Sequence, residues 1–355
     1  MSTHFISEEN FVRLLDHLQE QSRVYVAQPV EESETMVFRL REEGEPFAYT
    51  GFRATQSLKP FLFAAKEKVA EYPLPLGCET LPETVPLTVV GAAACDLAAL
   101  RTLDAVFMSE DVSDIFYAER RAKTLIISME CTEPRDTCCC TLLGNKPYAE
   151  DGFDLNLAKA EGGFVVKTGS DKGQKVVDDS NILFSNATEG MLAARESARD
   201  AATRKVQEIN RDVELSRSRQ EVLKRAPENR EWYPHVRTCV ECAACLFSCP
   251  TCHCFLLHDR QGDRAFERTK VWDGCIYAGY SRMAGGGTPR PLVVERFRHR
   301  FVHKYDQILE RYGIEGCSGC GRCIEACPGL IDFRKVFKAL ESMGSSSKVE
   351  QGASA

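Results

Sequence analysis

Two stretches of this sequence carry four cysteines at identical spacing, each closed by a proline: Cys239, Cys242, Cys245 and Cys249 before Pro250, and Cys317, Cys320, Cys323 and Cys327 before Pro328. A C-x2-C-x2-C-x3-C-P run suits one kind of chemistry. Three thiolates two residues apart wrap three corners of an iron-sulfur cubane, and the fourth, turned away by the proline, reaches a second one. We therefore expect two 4Fe-4S clusters with crossed ligand sets: cluster I on Cys239, Cys242, Cys245 and Cys327, and cluster II on Cys317, Cys320, Cys323 and Cys249. Gly316, Gly319 and Gly321 let the second loop turn tightly enough for backbone N–H groups to approach sulfur. Structural zinc is the alternative, but zinc sites use two cysteine pairs separated by a longer loop.

A third constellation lies upstream. Cys95 follows a strand ending at Val90, Cys131 follows one ending near Ser128, and MECTEPRDTCCCTLLG adds Cys138, Cys139 and Cys140. In open α/β sheets ligands bind beyond the carboxyl ends of strands, so thiols from two strands can converge there. We expect a third site on Cys95, Cys131, Cys138 and Cys140. Adjacent cysteines cannot easily aim both sulfurs at one metal, which leaves Cys139 out. The competing reading is that Cys95 is a small core residue and the cysteine run merely occupies a loop. Of the rest, Cys78 and Cys275 have no partner at ligand spacing and read as plain hydrophobes. Cys252-His253-Cys254 could bind metal, although lining the space beside cluster I is the favoured role. Arg282, Arg290, Arg296, Arg298, Arg300 and Lys304 read as a docking face, as a balance for negative clusters, or as a solvated face with local ion pairs.

The elements that must position these residues define the fold. Phe11, Leu14, Leu15 and Leu18 recur at helical spacing after Ser7, Met36 to Leu40 reads as a strand, and Leu58 to Val69 reads as a helix entered at Lys59-Pro60. Leu87 to Val90 is a β-branched strand that meets a turn at Gly91 and then the helix former AAACDLAALRTLDAVF; Leu125-Ile126-Ile127 is a second buried strand. Thr188 to Ala226 is rich in Ala, Arg, Glu, Gln and Lys and stops at Pro227, which favours one or two solvated helices. The expected fold class is α+β: an N-terminal α/β domain (1–187) with the third iron-sulfur site, a helical connector (188–227), a C-terminal two-cluster ferredoxin-like domain (228–343) and a disordered tail (344–355). Thr251 to Gly316 separates the two motifs and reads as a folded insertion.

Composition narrows the function. Seventeen cysteines in 355 residues exceed what core packing requires, so their clustering means disulfides or metal. The N-terminus shows no cationic start and no apolar h-region, so we expect a cytoplasmic setting, reduced thiols and metal ligation rather than disulfides. No apolar run approaches the roughly 18 residues that span a bilayer, and a net charge of -7 argues against a nucleic-acid binder. No G-x-G-x-x-G follows a strand and no P-loop is present, so no nucleotide is placed on the chain.

The segments ACDLAALRTLDAVF, MECTEPRDTCCCTLLG, CVECAACLFSCPTCHC, RTKVWDGCIYAGYSRMAGGGTPRP, ERFRHRFVHKY and CSGCGRCIEACP resemble the 4Fe-4S dicluster electron-transfer subunits typified by the β subunit of cytoplasmic NiFe sulfhydrogenase and its iron-sulfur counterpart in anaerobic sulfite reductase. The resemblance runs from about Arg53 to Leu340. In that family the middle loop reads C-x6-C-aromatic-C, which matches Cys131, Cys138 and Cys140 and puts Cys139 at the non-ligand position. The sequence departs from its relatives at Gly91 to Ala94, where they carry larger or charged residues. The resemblance implies partners: a flavin-containing subunit that handles NAD(P)H and a catalytic redox subunit of hydrogenase, sulfite reductase or disulfide reductase type. The expected function is thus a non-catalytic relay inside an anaerobic multisubunit oxidoreductase. Two readings compete with it: an enzyme that reduces a sulfur or disulfide species at its N-terminal cluster, and a zinc-bearing interaction module.

Overall fold

The computed structural model describes residues 2–30, 35–72, 84–111, 113–261 and 265–346, and these gather into two compact units. The first is drawn from the chain up to Phe63, from the stretch ending at Ile209 and from Ser318–Cys320. The second is drawn from the stretch starting at Ala64, from Asn210–Cys317 and from Gly321 onward. Among the described residues the strands are β1 (Thr3–Ser7), β2 (Arg23–Pro29), β3 (Met36–Leu40), β4 (Lys66–Tyr72), β5 (Leu87–Ala92), β6 (Thr124–Met129), β7 (Leu155–Ala160), β8 (Gly163–Thr168), β9 (Phe184–Asn186), β10 (Phe255–Gln261) and β11 (Phe266–Trp272).

The first unit is built on a mixed sheet in the order β3-β2-β5-β6-β7-β8-β1-β9. Its centre, β2-β5-β6-β7, is parallel, and the flanking pairs are antiparallel. Central parallel strands are covered on both faces, which is why β5 and β6 read as continuous apolar runs. Helix Glu8–Gln19 begins where the Ser7 hydroxyl accepts from Asn10 N, and it buries Phe11, Leu14, Leu15 and Leu18 against Val24, Val90, Ile127 and Leu157. Helix Ala94–Phe107 buries Leu97, Leu100, Leu103 and Phe107; the ring of Phe107 packs 4.8 Å from that of Phe63 and 5.1 Å from that of Tyr117.

Gly91 sits inside β5 rather than in a turn after it. At φ 92 it is passed over by the ladder, which steps from Val90↔Ile127 to Ala92↔Ser128. Only a residue without a side chain fits this bulge, because a Cβ there would lie 2.8 Å from Ala27 Cβ. Helix Glu189–Asn210 follows β9 and is pinned by Arg199. The guanidinium donates to the buried Glu130 carboxylate at 3.0 Å, which also accepts from Asn156 Nδ2 at 2.8 Å.

The second unit has a three-stranded antiparallel sheet, β10-β11-β4, and an aromatic core. The Trp232 ring packs 5.2 Å from Phe301, Phe301 lies 5.4 Å from Phe337, and Tyr305 lies 4.9 Å from Phe337. The helix expected over Leu58 to Val69 is not formed: a single turn, Lys59–Leu62, is followed by β4. Pairing with β11 overrides helical spacing here, and the buried Glu67 carboxylate meets Lys270 Nζ at 2.9 Å across that ladder. Most of the tail expected from residue 344 lies outside the described residues; the last helix runs Phe333–Ser346.

Arg199→Ala leaves the buried Glu130 carboxylate without its cation. The expected loss is about 3 kcal/mol, read as a lower midpoint for the first-unit transition in calorimetry, with the iron content unchanged.

Candidate metal centres

The two cysteine motifs share a backbone signature that their sequences do not. Two and four residues after the leading cysteine the chain enters the left-handed region, at Glu241 (φ 55) and Ala243 (φ 57) in the first motif and at Gly319 (φ 71) and Gly321 (φ 75) in the second. For the non-glycine pair this costs roughly 1–2 kcal/mol per residue, so surrounding contacts must hold it. One is Arg296, whose guanidinium bonds the Glu241 carboxylate while its Nε donates to Ile276 O at 2.7 Å. Each loop then enters a one-turn helix, Ala244–Phe247 or Arg322–Glu325. Gly316 has no such φ; its Cβ would lie 2.2 Å from Lys304 O, so a close backbone approach is its constraint.

Cys239, Cys242 and Cys245 line one recess, and Cys327 lines it with them, although it closes the other motif. Cys323 reaches the same recess, with Ile276 and Phe297 as apolar walls. Burial pushes the Cys239 thiol up, and the charges of Cys245 and Cys327 push it further. Such a set resists joint deprotonation unless cationic metal neutralises it.

Cations stand among the thiols of the second unit. Helix Val293–Val302 passes into a π-turn, His303–Gln307, and aims Arg300, Lys304 and Tyr305 inward. Lys304 Nζ donates to Cys249 Sγ at 3.2 Å, and it also bonds Thr251 Oγ1, which donates to Gly316 O at 2.7 Å. Burial alone would discharge Lys304, yet Cys249, Cys252 and Cys317 reverse this and hold its pKa above the usual lysine range. Arg300 is equally buried and is kept charged by Cys245, Cys323 and Cys252. Burial, followed by Cys317 and Cys323, pushes the Tyr305 phenol up. Burial holds His303 down at about 4, so it is neutral at physiological pH. Of the three roles open to these residues, burial removes the docking face and the solvated face for Arg296, Arg300 and Lys304, and the cysteines around Arg300 and Lys304 favour a balance for negative charge.

In the first unit β5 and β6 are neighbours, and their carboxyl ends deliver Cys95, in the first turn of helix Ala94–Phe107, and Cys131. The loop after β6 is folded back by Thr132 N and Glu133 N, both donating to Gly51 O at 2.8 Å. Cys131 N donates to Pro147 O at 3.0 Å and Cys139 N to Gly319 O at 2.8 Å. Cys95, Cys131, Cys138 and Cys140 thereby line a second recess, with Arg53, Gly319 and Cys320 also at its wall. Cys139 does not line it. Burial pushes Cys131 up, with Cys138 and Cys140 adding to the effect; burial and Cys138 raise Cys140 to about 12.

Cys317, Cys323 and Cys249 belong to the second unit, and Cys320 to the segment that packs with the first. No cysteine in the described residues is in a disulfide. Among these residues no group of three or more His, Cys, Asp or Glu is arranged to hold a single metal ion. The thiols line two recesses, and the C-x2-C-x2-C-x3-C-P spacing of the second unit is that of cubane ligands. Neither Cys252 nor Cys254 is in the wall of the first recess itself, but Cys252 acts on Arg300, which is. Cys275 is not a plain hydrophobe, since it hydrogen-bonds Cys254. Cys78 lies outside the described residues. Sequence reasoning left the roles of Arg300 and Lys304 open; their i, i+4 spacing on a helix between the two motifs was the available signal.

A family model for a 4Fe-4S dicluster domain matches residues 238–331, spanning both motifs. That defines the class: an iron-sulfur electron-transfer protein with two 4Fe-4S clusters. Over 249 residues, 70% of this chain and 72% of the relative, the sequence is 31% identical to the sulfhydrogenase 2 subunit beta of Pyrococcus furiosus. The chain belongs to the sulfhydrogenase beta subunit family. Among the described residues no helix is long and apolar enough to cross a membrane.

Removing the ammonium beside Cys249 should make reduction of the cluster expected on that thiol harder. Lys304→Met is expected to lower one cluster potential by on the order of 1 kcal/mol, roughly 40 mV for one electron. Redox titration followed by electron paramagnetic resonance checks this; an unchanged potential contradicts the contact.

Proposed function

We propose that this chain is a relay of three 4Fe-4S clusters carrying single electrons between a flavin-containing partner that reacts with NAD(P)H and a catalytic redox subunit of hydrogenase, sulfite reductase or disulfide reductase type. Cluster I takes Cys239, Cys242, Cys245 and Cys327. Cluster II takes Cys317, Cys320, Cys323 and Cys249, and cluster III takes Cys95, Cys131, Cys138 and Cys140. The observation that carries the reading is the recess where Cys327 joins the three leading cysteines of the other motif, as crossed ligation requires. The second recess, with four thiols delivered by two adjacent strand ends and one loop, supports the third site by the same logic.

The chain's own residues do three things in this scheme. Cysteines hold the irons, left-handed loop residues turn the backbone toward sulfur, and Arg300 and Lys304 offset the clusters' negative charge. The clusters supply one-electron chemistry when bound. Hydride must be split into single electrons before a cluster can carry it, and a flavin performs that step; the sequence offers no dinucleotide fingerprint to hold one. A multisubunit setting is also supported by the relative's name, which makes it one subunit of several.

Three outcomes test the reading. Anaerobically reconstituted chain should hold about twelve irons, against about eight if only the ferredoxin motifs are loaded. Cys327→Ser should disturb the spectrum of cluster I, while damage confined to cluster II overturns the crossed assignment. Reduced pyridine nucleotide alone should leave the visible absorbance of the clusters unbleached until the flavoprotein partner is added. Rapid bleaching without it, with FAD or FMN bound to the purified chain, contradicts the relay.

A further inference from the structure

Cys254, Cys275 and Tyr280 play no part in this relay, yet the fold brings them together. The β10–β11 ladder closes with Phe255↔Trp272, and one step beyond it Asp273 N donates to Cys254 O at 3.0 Å. Cys254 and Asp273 thus face each other at the mouth of the ribbon. The chain then turns tightly, with Tyr277 N donating to Gly274 O at 2.9 Å. A Cβ at Gly274 would lie 3.2 Å from both Ala243 Cβ and Leu246 Cδ1, so the turn is pressed against the first cysteine loop. It returns Cys275 and Tyr280 to Cys254, whose sulfur is hydrogen-bonded by both side chains. Cys275 is buried at 7% exposure, whereas Cys254 is partly exposed.

The two thiols are chemically unequal. The bond from Cys275, and after it the Tyr280 hydroxyl, holds the Cys254 thiol below its ordinary range although burial opposes this. Cys275 is raised by giving its proton to that bond and by burial. A partly exposed thiol beside a buried one is the arrangement of an attacking and a resolving cysteine.

We propose that Cys254 and Cys275 form a reversible dithiol–disulfide couple that exchanges with low-molecular-weight disulfides. The Cys254 thiolate attacks one sulfur of the small disulfide, whose S–S bond breaks and releases the first thiolate. The Cys275 thiol then loses its proton and attacks the Cys254 sulfur of the mixed disulfide. The Cys254–Cys275 bond forms and the second small thiolate leaves. Two electrons pass from the protein to the small disulfide, which becomes two thiols by taking the Cys275 proton and one from solvent, the equivalent of the proton Cys254 released when it ionised. A small dithiol reverses the sequence. Such a couple handles electrons in pairs, unlike the clusters, and it does not depend on the ligand assignments proposed above.

The test uses cluster-loaded full-length chain equilibrated anaerobically across glutathione redox buffers, quenched in acid, alkylated and mapped by mass spectrometry. Iron and visible absorbance are recorded on the same samples. In oxidising buffer with iron retained, the peptides holding Cys254 and Cys275 should lose alkylation together and appear as one linked species lacking two hydrogens. Dithiothreitol should restore both labels. Cys275→Ser should trap Cys254 as its glutathione mixed disulfide, and Cys254→Ser should leave Cys275 reduced. Tyr280→Phe should slow closure about tenfold, the worth of one hydrogen bond. Two thiols alkylated at every potential, or a link seen only where iron has been lost, overturns the proposal.

Discussion

Gathering many thiols in a few partly buried recesses is the constraint that organises this molecule. Each sulfur raises the cost of ionising the next, as burial and the charges of Cys245 and Cys327 do to Cys239. In the proposed relay iron would offset that charge from within the set, and Arg300 and Lys304 offset it from without. Both cations are buried among sulfurs, where charges are tolerated only when paired. The long stretch between the motifs has its reason here: it supplies the helix and π-turn that carry both cations and the ribbon that packs beneath the first loop.

The first unit meets the same constraint by a different route. A parallel sheet ends several strands at one edge, and loops leaving that edge can be folded over a common space. The bulge at Gly91 shifts the end of β5 by one residue and leads it into helix Ala94–Phe107, whose first turn holds Cys95. Glu130, one residue before Cys131, is tied to Arg199 and Asn156, so the strand end that positions the thiol is itself anchored.

Much of this was legible before any coordinates. The ferredoxin motifs, the strands β5 and β6 and the helix opening at Ser7 were visible because spacing and periodicity are local properties. The helix expected over Leu58 to Val69 failed because β4 is determined by its partner β11, some two hundred residues later in the chain, and cross-strand pairing leaves little trace in one strand alone. The roles of Arg296, Arg300 and Lys304 stayed open, between surface charge and a balance for the clusters, because sequence cannot tell which side of a helix faces sulfur. Cys275 looked solitary for a similar reason: its partner, Cys254, is brought close only when the ribbon between them closes.

Gly319 shows how far this economy of space extends. A Cβ at that position would lie 2.5 Å from Cys140 Cα and 2.6 Å from Cys139 O, so backbone rests directly on backbone. The loop of consecutive cysteines and the short Ser318–Cys320 segment of the same unit therefore cannot drift independently in evolution. A side chain gained at 319 would have to be matched by a rebuilt 138–140 loop, and an insertion in that loop would find no room above the glycine. Segments far apart in the chain are in this way inherited as a single unit of variation.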